Sequence, residues 1–262
     1  MTDTVKVDTD ARGVATLTLD RAAKHNALDA AMMTDLTQAA QALAKDDTVR
    51  VVVLRGAGKS FCAGGDLNWM RAQMEADGDT RMAEAQRLAD MLWTLNSLPK
   101  PRIGAVQGNA FGGGVGMAAV CDVALGALHA KLALTETRLG LIPATIGPYV
   151  IARLGEGAAR RVFMSGRVFD ADEAVRLGLL AQSVPADALD AAVEAEVAPY
   201  LSCAPGAVAA AKALARQLGQ GITREQVAHS VAALRDQWET AEAREGVAAF
   251  FEKRPAVWVR DA

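Results

Sequence analysis

Twice in this chain an apolar run suited to a buried strand leads into a glycine-rich turn and then into a helix start, once over 49–73 and again over 102–120. The second instance is the sharper. Ile103 to Val106 is entered through Pro99 and Pro101, which suit no helix, and Gly112, Gly113 and Gly114 follow before the small-residue run Val115 to Val120. Successive glycines permit positive φ and the close approach of another molecule. A helix starting there leaves its first N–H groups unpaired at the positive end of its dipole, so the turn can hold an oxygen that is or becomes negative. In the first instance Val49 to Leu54 precedes Phe61-Cys62-Ala63-Gly64-Gly65-Asp66-Leu67, with Asp66 near the helix start. Two such turns can offer two backbone donors to one oxygen.

Past Cys121-Asp122 come two more strand-like runs, Val123 to Leu125 and Lys131 to Leu134, and then a carboxylate in mostly apolar company, Glu136. It is the lead candidate for acid/base chemistry; the competing reading is a glutamate that merely opens a surface loop. Asp122, beside Cys121 at a strand start, reads as structural.

The rest of the chain frames this stretch. Val5 to Val7 and Val14 to Leu19 read as a hairpin, and 20–28 as a polar, irregular loop. Asp29 caps a helix to about Lys45, with Met32, Met33, Leu36, Ala40 and Leu43 on one apolar face. Thr80 to Leu98 reads as a long helix ended by Pro99; short helices follow over 143–155, 157–164 and 170–177, the last closed by Gly178. After a last strand, Leu180 to Val184, helices are expected at 187–202, 205–218 and 223–239, then a segment carrying Phe250-Phe251. The change from mixed α/β to all-helix divides the chain into a core over 1–195 and a helical region over 196–262, which would cover the core or meet another subunit.

Composition narrows the function classes. A chain of 262 residues with 51% hydrophobic and 23% charged residues can bury a sizeable core. Its net charge of −3 gives no basic footprint for nucleic acid and no polybasic membrane anchor. Cys62, Cys121 and Cys203 are scattered and odd in number, which points to a reducing, cytoplasmic setting, and His25, His129 and His229 form no metal-ligand spacing. The acidic start MTDTVKVDTD resembles no leader peptide, and no apolar run is long enough to span a membrane.

Rival motifs fit less well. Arg55-Gly56-Ala57-Gly58-Lys59-Ser60 looks like a phosphate loop, but its required first glycine falls at Val53 within the strand. Gly114-x-Gly116-x-x-Ala119 with Glu136 downstream meets a dinucleotide pattern, but five residues separate Gln107-Gly108 from the first fitted glycine. No serine sits in G-x-S-x-G, which leaves backbone donors plus one carboxylate.

Taken together, FCAGGDL (61–67), GNAFGGGVGMAAVCDVALG (108–126), Glu136 and RLGLIP (138–143) resemble the enoyl-CoA hydratase/isomerase family, the crotonase superfamily. The resemblance runs from RAAKHNALD (21–29) to REGVAAFFEKR (244–254). It implies a spiral of ββα units with a C-terminal helical region, assembled as a homotrimer or dimer of trimers. It implies an acyl-CoA thioester substrate, with coenzyme A part of that substrate and no separate cofactor or metal. Carried over residue by residue, the thioester oxygen lies between the N–H groups of Gly65 and Gly113, and Glu136 is the acid/base. Ala63 offers backbone to the adenine, Asp66, Leu67 and Asn68 line the acyl entrance, and Lys24 joins the substrate-binding set.

Two departures from the family pattern matter. Hydratases of the family carry two glutamates; the second maps onto Glu136 and the first onto Gly116, which makes a single-glutamate double-bond isomerase the alternative. The usual GAGGT after the Ile-Pro is replaced by Ala144-Thr145-Ile146-Gly147-Pro148-Tyr149. With DLNWM (66–70) and TETRLGL (135–141), this resembles the methylglutaconyl-CoA hydratase type of leucine and acyclic terpene breakdown. Arg138 could meet a distal substrate carboxylate, although an exposed or paired arginine is the plainer expectation. A silent CoA-binding scaffold is the third class, and the retained Glu136 argues against it.

Overall fold

The computed structural model describes residues 4–219 and 221–259, whose strands form two sheets. In the larger, β1 (Val5–Thr9) pairs antiparallel with β2 (Val14–Leu19) as the hairpin reading expects. The connecting turn needs Gly13, at φ +82°, because a Cβ there would lie 2.3 Å from the Thr48 carbonyl oxygen. From β2 the order runs in parallel through β3 (Val51–Gly56), β5 (Arg102–Val106), β7 (Val123–Ala127) and β10 (Gln182–Val184). The smaller sheet is β4 (Ser60–Cys62), β6 (Asn109–Phe111), β8 (Lys131–Ala133) and β9 (Val168–Asp170).

Three successive turns of the chain each contribute one strand to each sheet and then helix. β3 and β4 lead into α2 (Leu67–Glu75) and α3 (Gly78–Ser97), β5 and β6 into α4 (Gly113–Val120), and β7 and β8 toward α5 (Gly147–Leu154) and α6 (Glu156–Phe163). The result is a spiral of ββα units. Sequence periodicity had no hold on β4, β6 and β9, which are three residues long and flanked by turns. They exist as strands only through their partners.

Local signals elsewhere translate directly. α1 (Ala30–Lys45) starts where the Asp29 side chain accepts the Met32 N–H at 2.9 Å, and Met32, Met33, Leu36, Ala40 and Leu43 are its buried face. Burying each of the larger side chains is worth roughly 1.5–3 kcal/mol. The main core fills the space between the sheets and α1, α3 and α4.

α7 (Ala171–Arg176) precedes β10, and four longer helices close the chain: α8 (Leu189–Leu201), α9 (Pro205–Leu218), α10 (Arg224–Trp238) and α11 (Ala241–Glu252). Residue 195 falls inside α8, whose Val193 and Val197 pack with Val51, Val53 and Ile103 of the larger sheet. α10, begun by a Thr223–Gln226 capping box, lies along α3. α11 sits close against residues 136–139, because Gly140 and Gly246 have no side chains to hold it off. No helix among the described residues is long and apolar enough to cross a membrane.

Candidate active site

The segment 20–28, read from sequence as a plain loop, is a clamp. Asn26 is wholly buried at φ +54°; its Oδ1 accepts the Arg21 N–H, and its Nδ2 donates to the carbonyls of Ala57 and Ser60 at 2.9 and 2.8 Å. Arg21 in turn reaches Asp29 at 3.0 Å and Asp66 at 3.1 Å while donating to the Ala27 carbonyl at 2.6 Å. One guanidinium therefore joins the caps of α1 and α2. Between them Leu28 donates to Gly64 at 2.7 Å and accepts from Asp66 at 2.8 Å, so Gly65 faces the other way. Its N–H donates to no protein acceptor among the described residues.

The second turn arrives beside the first. Gly112 takes φ +48°, and a Cβ on Gly112 or on Gly64 would lie 4.0 Å from the Cα of the other. Gly113 opens α4, so its N–H also lacks an acceptor within the helix. Close packing needs bare backbone here: a Cβ on Gly113 would stand 2.6 Å from Leu28 Cδ1, and one on Gly114 2.5 Å from the Cys62 carbonyl oxygen.

Glu136 begins a short 3-10 helix, and its Oε1 lies 2.9 Å from where a Gly112 Cβ would be. Its Oε2 is buried without a hydrogen-bond partner. Burial pushes the carboxyl up to about 7, only partly opposed by its own backbone N–H. A carboxylate so placed can exchange a proton near neutral pH. The Cys62 thiol, by contrast, is pushed up to about 12 by burial and is no nucleophile at that pH.

Gly65, Gly113, Glu136, Ala63 and Leu67 all line one mostly apolar cavity of about 390 Å³. Asp66 does not: its carboxylate accepts the Asn68 N–H at 2.9 Å and faces Arg21. Burial would raise it, but those amides and the guanidinium outweigh burial and hold it below the usual carboxylate range. Asn68 is exposed outside the cavity wall, as is Lys24 on the 3-10 turn 22–24. Much of the wall comes from apolar residues with no site role legible in the sequence, although Trp69, Met70, Ile142 and Ile146 lie in stretches that carry the resemblance. Trp69, Met70, Ile142 and Ile146 line it from the core, and Leu234, Trp238 and Phe250 close it from α10 and α11. Arg138 is the only cation among the lining residues; it is exposed, as the plainer expectation had it, and among the described residues its side chain makes no hydrogen bond or ion pair.

Gly116 has no room for a larger side chain. Its Cβ would stand 2.4 Å from Ile146 Cγ2, so the space beside Gly116 is filled by a residue of the Ala144–Tyr149 segment.

Known proteins agree with this architecture. The family model described as Enoyl-CoA hydratase/isomerase matches residues 9–261. The crystal structure of an enoyl-CoA hydratase from Shewanella pealeana is 36% identical, with a TM-score of 0.81, covering 98% of this chain and 97% of that one. An enoyl-CoA hydratase structure from Mycobacterium avium is 31% identical, with a TM-score of 0.88 over 99% of this chain and 100% of that one. A probable enoyl-CoA hydratase of Rhizobium meliloti is 36% identical over 265 residues, 97% of each chain. On its spiral fold, its two glycine turns and these matches, the chain belongs to the enoyl-CoA hydratase/isomerase family, the crotonase superfamily, as an enzyme of the hydratase type.

Proposed function

We propose that the enzyme adds water across the 2,3 double bond of an enoyl-CoA thioester, with Glu136 as its single acid/base group. The carrying observation is one carboxylate, raised to about 7 by burial, sharing a cavity with the unpaired N–H groups of Gly65 and Gly113. Glu136 takes a proton from water as the water oxygen bonds to C3. The C2–C3 electron pair shifts toward the thioester carbonyl, whose oxygen becomes an enolate held between the two amides. Glu136 then returns its proton to C2, the enolate reverts to the thioester, and one water has been added. Each well-aimed amide is worth roughly 3–4 kcal/mol in the transition state.

A double-bond isomerase is the second reading, favoured by the filled space at Gly116. There a single base moves a proton from C2 to C4 of a 3-enoyl thioester. Ultraviolet absorbance of the conjugated thioester separates the two. Mixing with 3-methylglutaconyl-CoA or crotonyl-CoA bleaches the absorbance if water is added. A rise with a 3-enoyl-CoA, and no change with the conjugated substrates, makes the enzyme an isomerase.

The substrate class we propose is a branched acyl chain with a distal carboxylate, of which 3-methylglutaconyl-CoA is the leading member. Arg138 supports it as an unpaired guanidinium in a mostly apolar wall, its stem laid over Gly166, where a Cβ would come within 2.8 Å of Arg138 Cγ. Arg138→Ala is expected to lower kcat/KM about tenfold for 3-methylglutaconyl-CoA, or ~1.4 kcal/mol, and to leave crotonyl-CoA within twofold. An equal change on both removes Arg138 from substrate selection. We further propose a homotrimer or dimer of trimers, with the exposed Leu214, Leu218, Val257 and Val259 supplying apolar contact surface.

A further inference from the structure

A second cavity, larger than the one that holds Glu136, lies elsewhere in the fold. A space of about 750 Å³ lies at the other end of α4, beside Ala119 to Asp122 and under the inner stripe of α9, from Val208 through Lys212 to Arg216. α9 buries no residue fully, so it spans this space rather than packing into it.

The wall carries four cations, Arg102, Arg153, Lys212 and Arg216, against one carboxylate, Asp122. Asp122 is already engaged: Lys212 Nζ lies 2.6 Å from its Oδ2, which also accepts the Arg102 N–H at 2.8 Å, and Arg102 Nη2 lies 3.4 Å from its Oδ1. Arg153 donates to the carbonyls of Ala119 and Asp122 at 3.4 and 3.2 Å, which accounts for it as a partner of the helix end. The Arg216 side chain has no hydrogen bond or ion pair among the described residues. Arg102, only 3% exposed, leaves Nε and Nη1 buried without acceptors, and the nearby Tyr149 hydroxyl, on a residue 1% exposed, is likewise buried and unpartnered.

Such an arrangement is costly unless something answers it. Buried donors without acceptors are rare, and water could supply the hydrogen bonds but no compensating charge. Consistent with excess positive potential, burial and then Arg102 push Lys212 down to about 8 despite its contact with Asp122. We propose that this cavity is a second ligand site, separate from the thioester site, that binds a small oxyanion of the phosphate class on Arg102, Arg216, Lys212 and Tyr149. A tetrahedral dianion has acceptors for several of these donors at once, whereas a carboxylate has two oxygens.

The test is calorimetric titration of the full-length enzyme with inorganic phosphate, with acetate and sodium chloride at matched ionic strength as control arms. The expected result is saturable binding of one phosphate per chain, at least tenfold tighter than acetate. Saturation should also raise the melting temperature by about 5 °C at a hundredfold excess over Kd. Arg102→Met is expected to abolish the binding. Arg216→Ala removes a side chain that makes no hydrogen bond or ion pair among the described residues; it is expected to weaken binding about tenfold and keeps the test decisive if the Arg102 variant does not fold. No saturable heat, a response equalled by chloride or acetate, or undiminished binding in Arg216→Ala would overturn the proposal.

Discussion

Glu136→Gln is expected to lower kcat for hydration of a conjugated enoyl-CoA by about 10³-fold or more while making the protein more stable at pH 8. The loss follows because no other carboxylate among the described residues lines the cavity, and general acid/base catalysis alone contributes about 10²–10⁴-fold. A loss of less than about tenfold would remove Glu136 from the chemistry. The gain in stability follows from the same burial. With the carboxyl raised from 4.5 to about 7, the folded protein holds its proton more tightly than the unfolded chain does. Stability from this group is therefore full below pH 4.5 and is lost as pH rises through about 7, where a charge must be kept in an apolar site. Glutamine removes that charge, with an upper limit of roughly 3 kcal/mol that water in the cavity reduces. Thermal melts at pH 5 and pH 8 check it; the variant should gain several degrees over wild type at pH 8 and little at pH 5. An equal change at both pH values would show that ionisation of Glu136 is not the cause.

Gly114→Ala carries the second large effect. The new methyl would stand 2.5 Å from the Cys62 carbonyl oxygen, a backbone atom of the other glycine turn that has no flexible end to move. The two turns must separate, and with them the N–H groups of Gly65 and Gly113. Because a donor aimed at a developing oxyanion loses most of its effect when displaced, kcat is expected to fall about 10²–10³-fold. The KM for the same thioester should change much less, since most binding comes from the rest of the substrate. The melting temperature should also drop, as for other overpacked positions. A kcat within threefold of wild type would mean that the spacing of these two turns does not govern the reaction.

Both predictions rest on features that differ in how openly the sequence announces them. Asp29 and the Met32-to-Leu43 face are local, so cap and periodicity disclose α1 to the residue. The glycine turns and Glu136 are likewise visible, because glycine runs are costly unless backbone must come close. Arg21 gives no such sign. Its role depends on Asp66, 45 positions away, and only the folded chain brings Asp29, Asp66 and Ala27 around one guanidinium. β4 and β6 are too short for period-two alternation and become strands only through their sheet partners, each other and β8. The lid residues Leu234, Trp238 and Phe250 read as ordinary apolar positions of amphipathic helices, and nothing local says which cavity they close. Ile146 is the most instructive case. In the sequence Gly116 is marked as a departure only by the family resemblance, whereas the structure shows the space beside it filled by Ile146, 30 positions away.

The most direct test of the central claim, one buried carboxylate acting on a thioester held by two amides, is the pH dependence of kcat/KM for hydration between pH 5.5 and 9. This parameter reports the ionisation of the free enzyme. With Glu136 at about 7 and required as a base, kcat/KM should rise about tenfold per pH unit at the acid end, bend near 7 and level off above it. A profile flat across this range, or one that bends only below pH 5, would contradict the account. It would place the reactive group elsewhere, or leave Glu136 with an ordinary carboxylate environment that the structure does not show.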